Sequence, residues 1–193
     1  MKTLIIKAHP SSLGFTHKIA QSYCNALIGS GISSQDIDII DLYKEKTQDY
    51  LRFESPKDLP KDDIKTQYQE KIIWAEHIVF IHPLWWGNMP AILKNFIDCN
   101  FSAGFAFKYQ NGRPVGLLAG RMASVYITCD GPMWAYRILG VPFKMIWLVL
   151  LFRIVGLKSF KFRVLDKKFK RKDAELGVFL NKVEEDAKRS VSL

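Results

Sequence analysis

The chain has 193 residues, of which 48% are apolar and 13% aromatic, a composition that can bury a sizeable core and excludes disorder as the main state. Lysine and arginine number 28 against 19 acids, a formal charge of +9, which favours acidic partners such as a nucleotide phosphate, a nucleic acid or an anionic membrane without choosing among them. Cys24, Cys99 and Cys129 stand far apart with no CxxC or Cys/His spacing, so neither a disulfide framework nor a zinc site is indicated, and a reducing cytoplasm fits.

The amino terminus, MKTLIIKAHP, has only Leu4, Ile5 and Ile6 as a consecutive apolar run, far short of the ~7–15 residues of an export signal. Residues 3–8 (TLIIKA) predict a first strand ending in the turn-like HPSSLG. Phe15, Ile19, Tyr23 and Ala26–Leu27 then recur at helical spacing. Residues 37–40 (IDII) predict a second strand, and the polar stretch 42–61, with Pro56 and Pro60, predicts a loop. Ile64, Tyr68, Ile72 and Ala75 predict a helix, followed by a third strand at 77–82 (HIVFIH). After PLWWGNM, Pro90 stands where a helix begins without wasting a backbone donor, and Ile92, Leu93, Phe96 and Ile97 form its apolar face.

Residues 122–128 (MASVYIT) predict a fourth strand that runs into CDGP, and 134–155 a helix despite Gly140 and Pro142. Inside that helix, MIWLVLLF is too short for the ~20 residues of a membrane crossing and reads as a buried or interface segment. Residues 160–164 predict a fifth strand and 173–189 a charged closing helix. Short apolar strands alternating with helices predict an α/β fold, a doubly wound five-stranded parallel sheet with helices on both faces. No repeat or linker interrupts the chain, so residues 1–193 are expected to form one domain.

Ligands of such a sheet bind beyond the carboxyl ends of the strands, near the point where strand order reverses. That directs attention to the loops after strands one, three and four. The first, His9 to His17, leads into a helix start that attracts an anion, with Ser11, Ser12 and Thr16 as hydroxyl donors. It matches neither GxxxxGK(S/T) nor GxGxxG, which disfavours a P-loop nucleotidase and a Rossmann dinucleotide domain. The second, His82 to Pro90, offers Trp85 and Trp86 to a flat conjugated ring. The third, Thr128-Cys129-Asp130-Gly131-Pro132, offers donors to that ring's polar edge. A phosphate cradle with two ring-binding loops suggests a flavin nucleotide.

HPLWWGNMPAILKNFID, then GFAFKY, then a strand ending in TCDGP resemble the flavodoxin-like NAD(P)H:quinone oxidoreductases, the family that includes DT-diaphorase and the bacterial drug-activity modulators. The likeness spans almost the whole chain. It implies that His9, Phe15 and Thr16 surround the flavin phosphate and ribityl chain, and that Pro83, Leu84, Trp85, Trp86, Thr128, Cys129, Asp130 and Gly131 hold the ring. Many members carry Asn where Thr16 stands, and DT-diaphorase has Thr-Thr-Gly-Gly over 128–131, so Cys129 and Asp130 are departures. The resemblance also implies that Tyr136 is the catalytic hydrogen-bond donor to a flavin or quinone oxygen. The His that partners this Tyr in DT-diaphorase falls on Pro142. Phe107 and Tyr109 match aromatic residues that reach over the other subunit's flavin in the family's homodimer and touch substrate.

The implied activity is hydride transfer from NADH or NADPH through FMN, or alternatively FAD, to a quinone, by a cytoplasmic homodimer. A flavin-binding ancillary subunit of a membrane transporter and a flavodoxin-type electron carrier are the competing readings. His77 reads as a satisfied strand residue and His17 as solvent-facing. The basic run Lys167–Lys172 reads as a solvated surface rather than a nucleic-acid or membrane patch, and no metal constellation is visible.

Overall fold

The computed structural model describes residues 1–46, 48–54 and 62–192; Pro56 and Pro60 of the expected loop lie outside the described residues. In chain order the elements are β1 (Thr3–Lys7), α1 (Phe15–Gly29), β2 (Ile37–Asp41), α2 (Asp63–Trp74), β3 (His77–Pro83), α3 (Ala91–Asn100), β4 (Phe107–Gln110), β5 (Arg113–Gly116), β6 (Met122–Thr128), α4 (Met133–Ile138), α5 (Phe143–Met145, continuing as a π-helix over Ile146–Arg153), β7 (Lys158–Leu165) and α6 (Asp173–Ser190). The five long strands form one sheet in the order β2-β1-β3-β6-β7, with every pairing parallel. This is the flavodoxin-like order, and strand order reverses at β1 and β3.

Alternate side chains of a strand point to opposite faces, which sorts the core into two layers. Leu4, Ile6, Ile78, Phe80, Val125 and Ile127 pack on one face against Tyr68 and Ile72 of α2, Leu93 and Phe96 of α3, and Trp147 and Phe152. Ile5, Val79, Ile81 and Tyr126 pack on the other against Ile19, Tyr23 and Leu27 of α1 and Phe179, Val183 and Ala187 of α6. All of β3 is buried, because it is central and covered from both sides.

The expected helix over 134–155 is broken. Gly140 takes φ +62°, the left-handed conformation that closes a helix, and Pro142 cannot extend one. In the π-helix that follows, residues five apart share a face. Trp147 and Phe152 therefore both enter the core while Met145, Val149 and Leu150 stay exposed. MIWLVLLF is thus buried on one side only.

The β4–β5 hairpin was not anticipated. Its strands are short and polar, yet Asn111-Gly112 at the tip, with φ +52° and +73°, is the hairpin signal. At its base, a Cβ on Gly116 would lie 2.3 Å from Gly156 N, so only glycine permits this backbone contact.

His77 is the satisfied core residue expected, with Nε2 2.9 Å from Ser124 Oγ. Burial lowers the pKa of His77 and of His82 to about 4. An unfolded histidine titrates near ~6.5, so between the two values the unfolded chain binds protons that the native chain refuses. Stability therefore rises with pH across that window and is fully present above it, by at most about 1.4 kcal/mol per pH unit for each histidine. Thermal melts should fall as pH drops from 6.5 to 4, with a smaller slope in His77→Gln; an equal slope in that variant would exclude this cause.

Candidate active site

The first loop leaves β1 and turns sharply, with Gly14 N donating to Ser11 O at 3.0 Å. The His9 ring packs on Gly14, where a Cβ would lie 2.3 Å from Nδ1. Phe15 and Thr16 then open α1, which has no side-chain cap; His17 N donates to Gly14 O at 3.0 Å. Thr16 is 1% exposed and its hydroxyl has no hydrogen-bond partner among the described residues. Ser11 and Ser12 lie at the surface.

In the second loop, Leu84 N donates to Thr128 O at 2.7 Å, tying it to the third. Trp85 and Asn88 exchange backbone bonds of 2.8 and 2.9 Å around Trp86 and Gly87, which sit at φ +51° and +76°. This primed turn throws Trp86 fully into solvent, while Trp85 is 40% exposed and lines the cleft. The expectation of two tryptophans at the mouth of the sheet resolves into one wall residue and one projecting residue.

In the third loop, Cys129 N donates to Leu165 O at 2.9 Å, and Lys168 N to Cys129 O at 3.0 Å. Burial, with Asp166 and Asp130 nearby, pushes the Cys129 thiol up to about 12. It remains a neutral thiol, donating to Gly131 O at 3.4 Å. Asp130 is exposed.

These loops meet in one cleft lined by His9, Phe15, Pro83, Leu84, Trp85, Thr128, Cys129 and Asp130, together with Lys168 and Phe169. The last two belong to the run Lys167–Lys172, which is largely at the surface as expected, Phe169 being 77% exposed, and which also borders the cleft. Lys168 Nζ sits 4.1 Å from the Phe169 ring centroid in the cleft wall, and Arg171 pairs with Asp166 at 2.6 Å. His17, by contrast, is not solvent-facing: it is half-buried, with Nδ1 2.7 Å from Lys7 Nζ.

Tyr136 flanks the cleft from α4, its ring lying over Gly131, where a Cβ would meet the phenol oxygen at 2.9 Å. Burial first, then Cys129 and Asp130, raise its pKa, so the phenol keeps its proton at neutral pH and is a donor. Pro142, where the relatives' histidine was expected, caps α5 with backbone alone. Phe107 and Tyr109 stand edge to face at 5.7 Å on β4 and do not line the cleft of their own chain; Tyr109 is 69% exposed. No metal-binding cluster occurs among the described residues.

The residues present fit a flavin nucleotide. The buried Thr16 hydroxyl at the start of α1, without a partner among the described residues, is a donor that a phosphate would satisfy. Trp85, Pro83 and Leu84 form an apolar wall suited to a flat ring.

A family model described as having the flavodoxin-like fold matches residues 1–185. A protein of Haemophilus influenzae named as an uncharacterized NAD(P)H oxidoreductase is 31% identical over 170 residues, covering 85% of this chain and 83% of its own. An FMN-dependent NADH:quinone oxidoreductase of Clostridium beijerinckii is 30% identical over 199 residues, covering 97% and 98%. Among solved structures, Smu.1420 from Streptococcus mutans superposes with a TM-score of 0.83 at 28% identity, over 98% of this chain and 100% of that one. Sheet order, a cleft built from the three expected loops and likeness over nearly the full length agree: the chain belongs to the flavodoxin-like NAD(P)H:quinone oxidoreductase family.

Proposed function

We propose that the chain, acting as one domain, holds one FMN in the three-loop cleft and uses it to pass hydride from NAD(P)H to a quinone. The observation that carries this reading is the convergence of the three loops on one cleft. When bound, the flavin supplies the two-electron chemistry; the protein supplies binding, orientation and electrostatics. His9, Phe15 and Thr16 hold the phosphate and ribityl chain. Pro83, Leu84 and Trp85 cover the ring while Trp86 projects past it into solvent, and Thr128, Cys129, Asp130 and Gly131 meet its edge. The Tyr136 phenol donates to an oxygen on which negative charge develops.

The active unit is a homodimer in which Phe107 and Tyr109 of each subunit close the other's cleft. Support comes from the exposure of Tyr109 and from the apolar side chains Met145, Val149 and Leu150, which one chain leaves uncovered. No helix among the described residues is long and apolar enough to cross a membrane, and the free thiols suit a cytoplasmic setting.

Titration of purified protein with FMN should quench flavin fluorescence and raise the melting temperature, and Trp85→Ala should weaken binding about 2–10-fold through lost ring contact. Absence of both signals in the wild type refutes the reading. Light scattering on the same sample should give the mass of a dimer; a fully active monomer would exclude shared sites.

A further inference from the structure

The crossover between β6 and β7 carries a surface that the cleft does not use. Met133 and Tyr136 of α4 pack inward against the core, and Val141 N closes the helix on Tyr136 O at 3.0 Å. Trp134 and Ile138, four residues apart and so on one side of the helix, point outward with Leu139 beside them, all mostly in solvent. The turn that carries Trp86 rests on the same place, since a Cβ on Gly87 would lie 2.7 Å from Val141 Cγ1. Two tryptophans and two aliphatic side chains thus stand exposed beside the cleft, where a surface helix ordinarily shows polar residues. Met145, Val149 and Leu150, the side chains left for a second subunit, are separate from these.

The charge around this patch has one sign. Residues 131–165 hold no aspartate or glutamate, and their cations are Arg137, Lys144, Arg153, Lys158, Lys161 and Arg163. Asp186 pairs with the last two. The first four are exposed and form no ion pair among the described residues. A two-fold contact centred on the patch would set Arg137 and Lys144 of each copy against one another, with no neighbouring acid to pair them. An anionic lipid surface meets both demands: its headgroups take the cations, and tryptophan and aliphatic side chains enter the layer beneath them.

We propose that α4 and the Trp86 turn dock the protein on an anionic lipid bilayer. Trp86, Trp134, Ile138 and Leu139 enter the headgroup layer without crossing the membrane, and Arg137 and Lys144 pair with lipid phosphates. Tyr136 flanks the cleft from the inner side of the same helix, so a docked chain holds its cleft beside the lipid. A quinone dissolved in the bilayer then reaches it without passing through bulk water. Only this route rests on the flavin and quinone reading; the docking stands without it.

Sedimentation of the purified protein with vesicles of phosphatidylcholine alone, or with about 30% phosphatidylglycerol, tests the docking. Binding should be about 10-fold or more stronger to the anionic vesicles, weaken as salt rises, and shift tryptophan emission to the blue. Ile138→Ser with Leu139→Ser should weaken it about 10-fold, and Arg137→Ser about 5-fold. Lys182→Ser, on α6 across the sheet, should change it less than about twofold. Circular dichroism checks the fold of each variant. No binding to anionic vesicles, equal binding to both kinds, or patch variants that bind as wild type does overturn the proposal. A loss in Lys182→Ser equal to that in Arg137→Ser also overturns it, because net charge alone would then explain the binding. So does a change from dimer to monomer in the Ile138 and Leu139 variant by light scattering, which would assign the patch to a second copy. A protein that docks as expected but takes up no flavin upholds the docking and refutes the flavin reading.

Discussion

Tyr136→Phe should lower turnover about 10–1000-fold with flavin still bound, the range seen when one donor to a developing negative charge is removed. The ring is already seated over Gly131 and against Phe143, at a centroid distance of 6.1 Å, so removing one oxygen leaves the packing intact and isolates the hydrogen bond. The raised pKa keeps the phenol protonated, so the loss should be nearly constant across neutral pH. Pro142 has no side chain that exchanges protons, so no relay to the phenol runs through that position. Stopped-flow measurement separates flavin reduction by NAD(P)H from reoxidation by quinone. Unchanged rates in both would remove Tyr136 from the chemistry and leave backbone donors and geometry in its place.

Asp186→Ala should cost about 3 kcal/mol and lower the melting temperature by roughly 6–12 °C. Asp186 is fully buried on α6. Arg163 grips it with two hydrogen bonds, one of 2.7 Å from Nη2 to Oδ1 and one from Nε to Oδ2. Tyr126 OH donates to it at 3.2 Å, and Lys161 Nζ lies 3.8 Å away. The alanine variant strands the buried Tyr126 hydroxyl and two cations together. Arg163 keeps some contact with water, which places the loss at the low end of the range for a broken buried pair. Replacing both partners, Asp186→Leu with Arg163→Met, should recover most of it. A melting temperature within about 2 °C of wild type for Asp186→Ala would show that α6 is held by its apolar face alone.

Strand and helix alternation was legible because it rests on local periodicity: Leu4 to Ile6, the 77–82 run and the 122–128 run are each apolar enough to be buried on both faces. The cleft was legible one step later, since a parallel sheet dictates which loops meet. What escaped notice depends on contacts between distant segments. Lys168 and Phe169 reach the cleft only because β7 pairs with β6, Met122 beside Lys158, and Lys168 N then bonds Cys129 O; no pattern within Lys167–Lys172 marks it. His17 sits at a helix position that polarity alone assigns to solvent, and the Lys7 ammonium from the neighbouring strand draws it inward. The β4–β5 hairpin escaped because its strands lack apolar alternation, although Asn111-Gly112 was visible.

The sheet order also constrains how the chain can be made. Of the strands in this sheet β1 is made first, yet its two neighbours pair Thr3 with Ile37 on one side and with His77 on the other. At ~5–20 residues per second, β1 waits about 4–15 s for β3 to emerge, with Leu4, Ile5 and Ile6 lacking one edge partner throughout. Each pairing in the main sheet spans a long stretch of chain, so native contact order is high and folding is slow. A ligand of the cleft comes later still, because its floor needs Thr128 to Asp130 from β6 and its wall needs Lys168 from beyond β7. Such a ligand cannot seed the fold; it can only trap and hold a chain whose sheet is already complete.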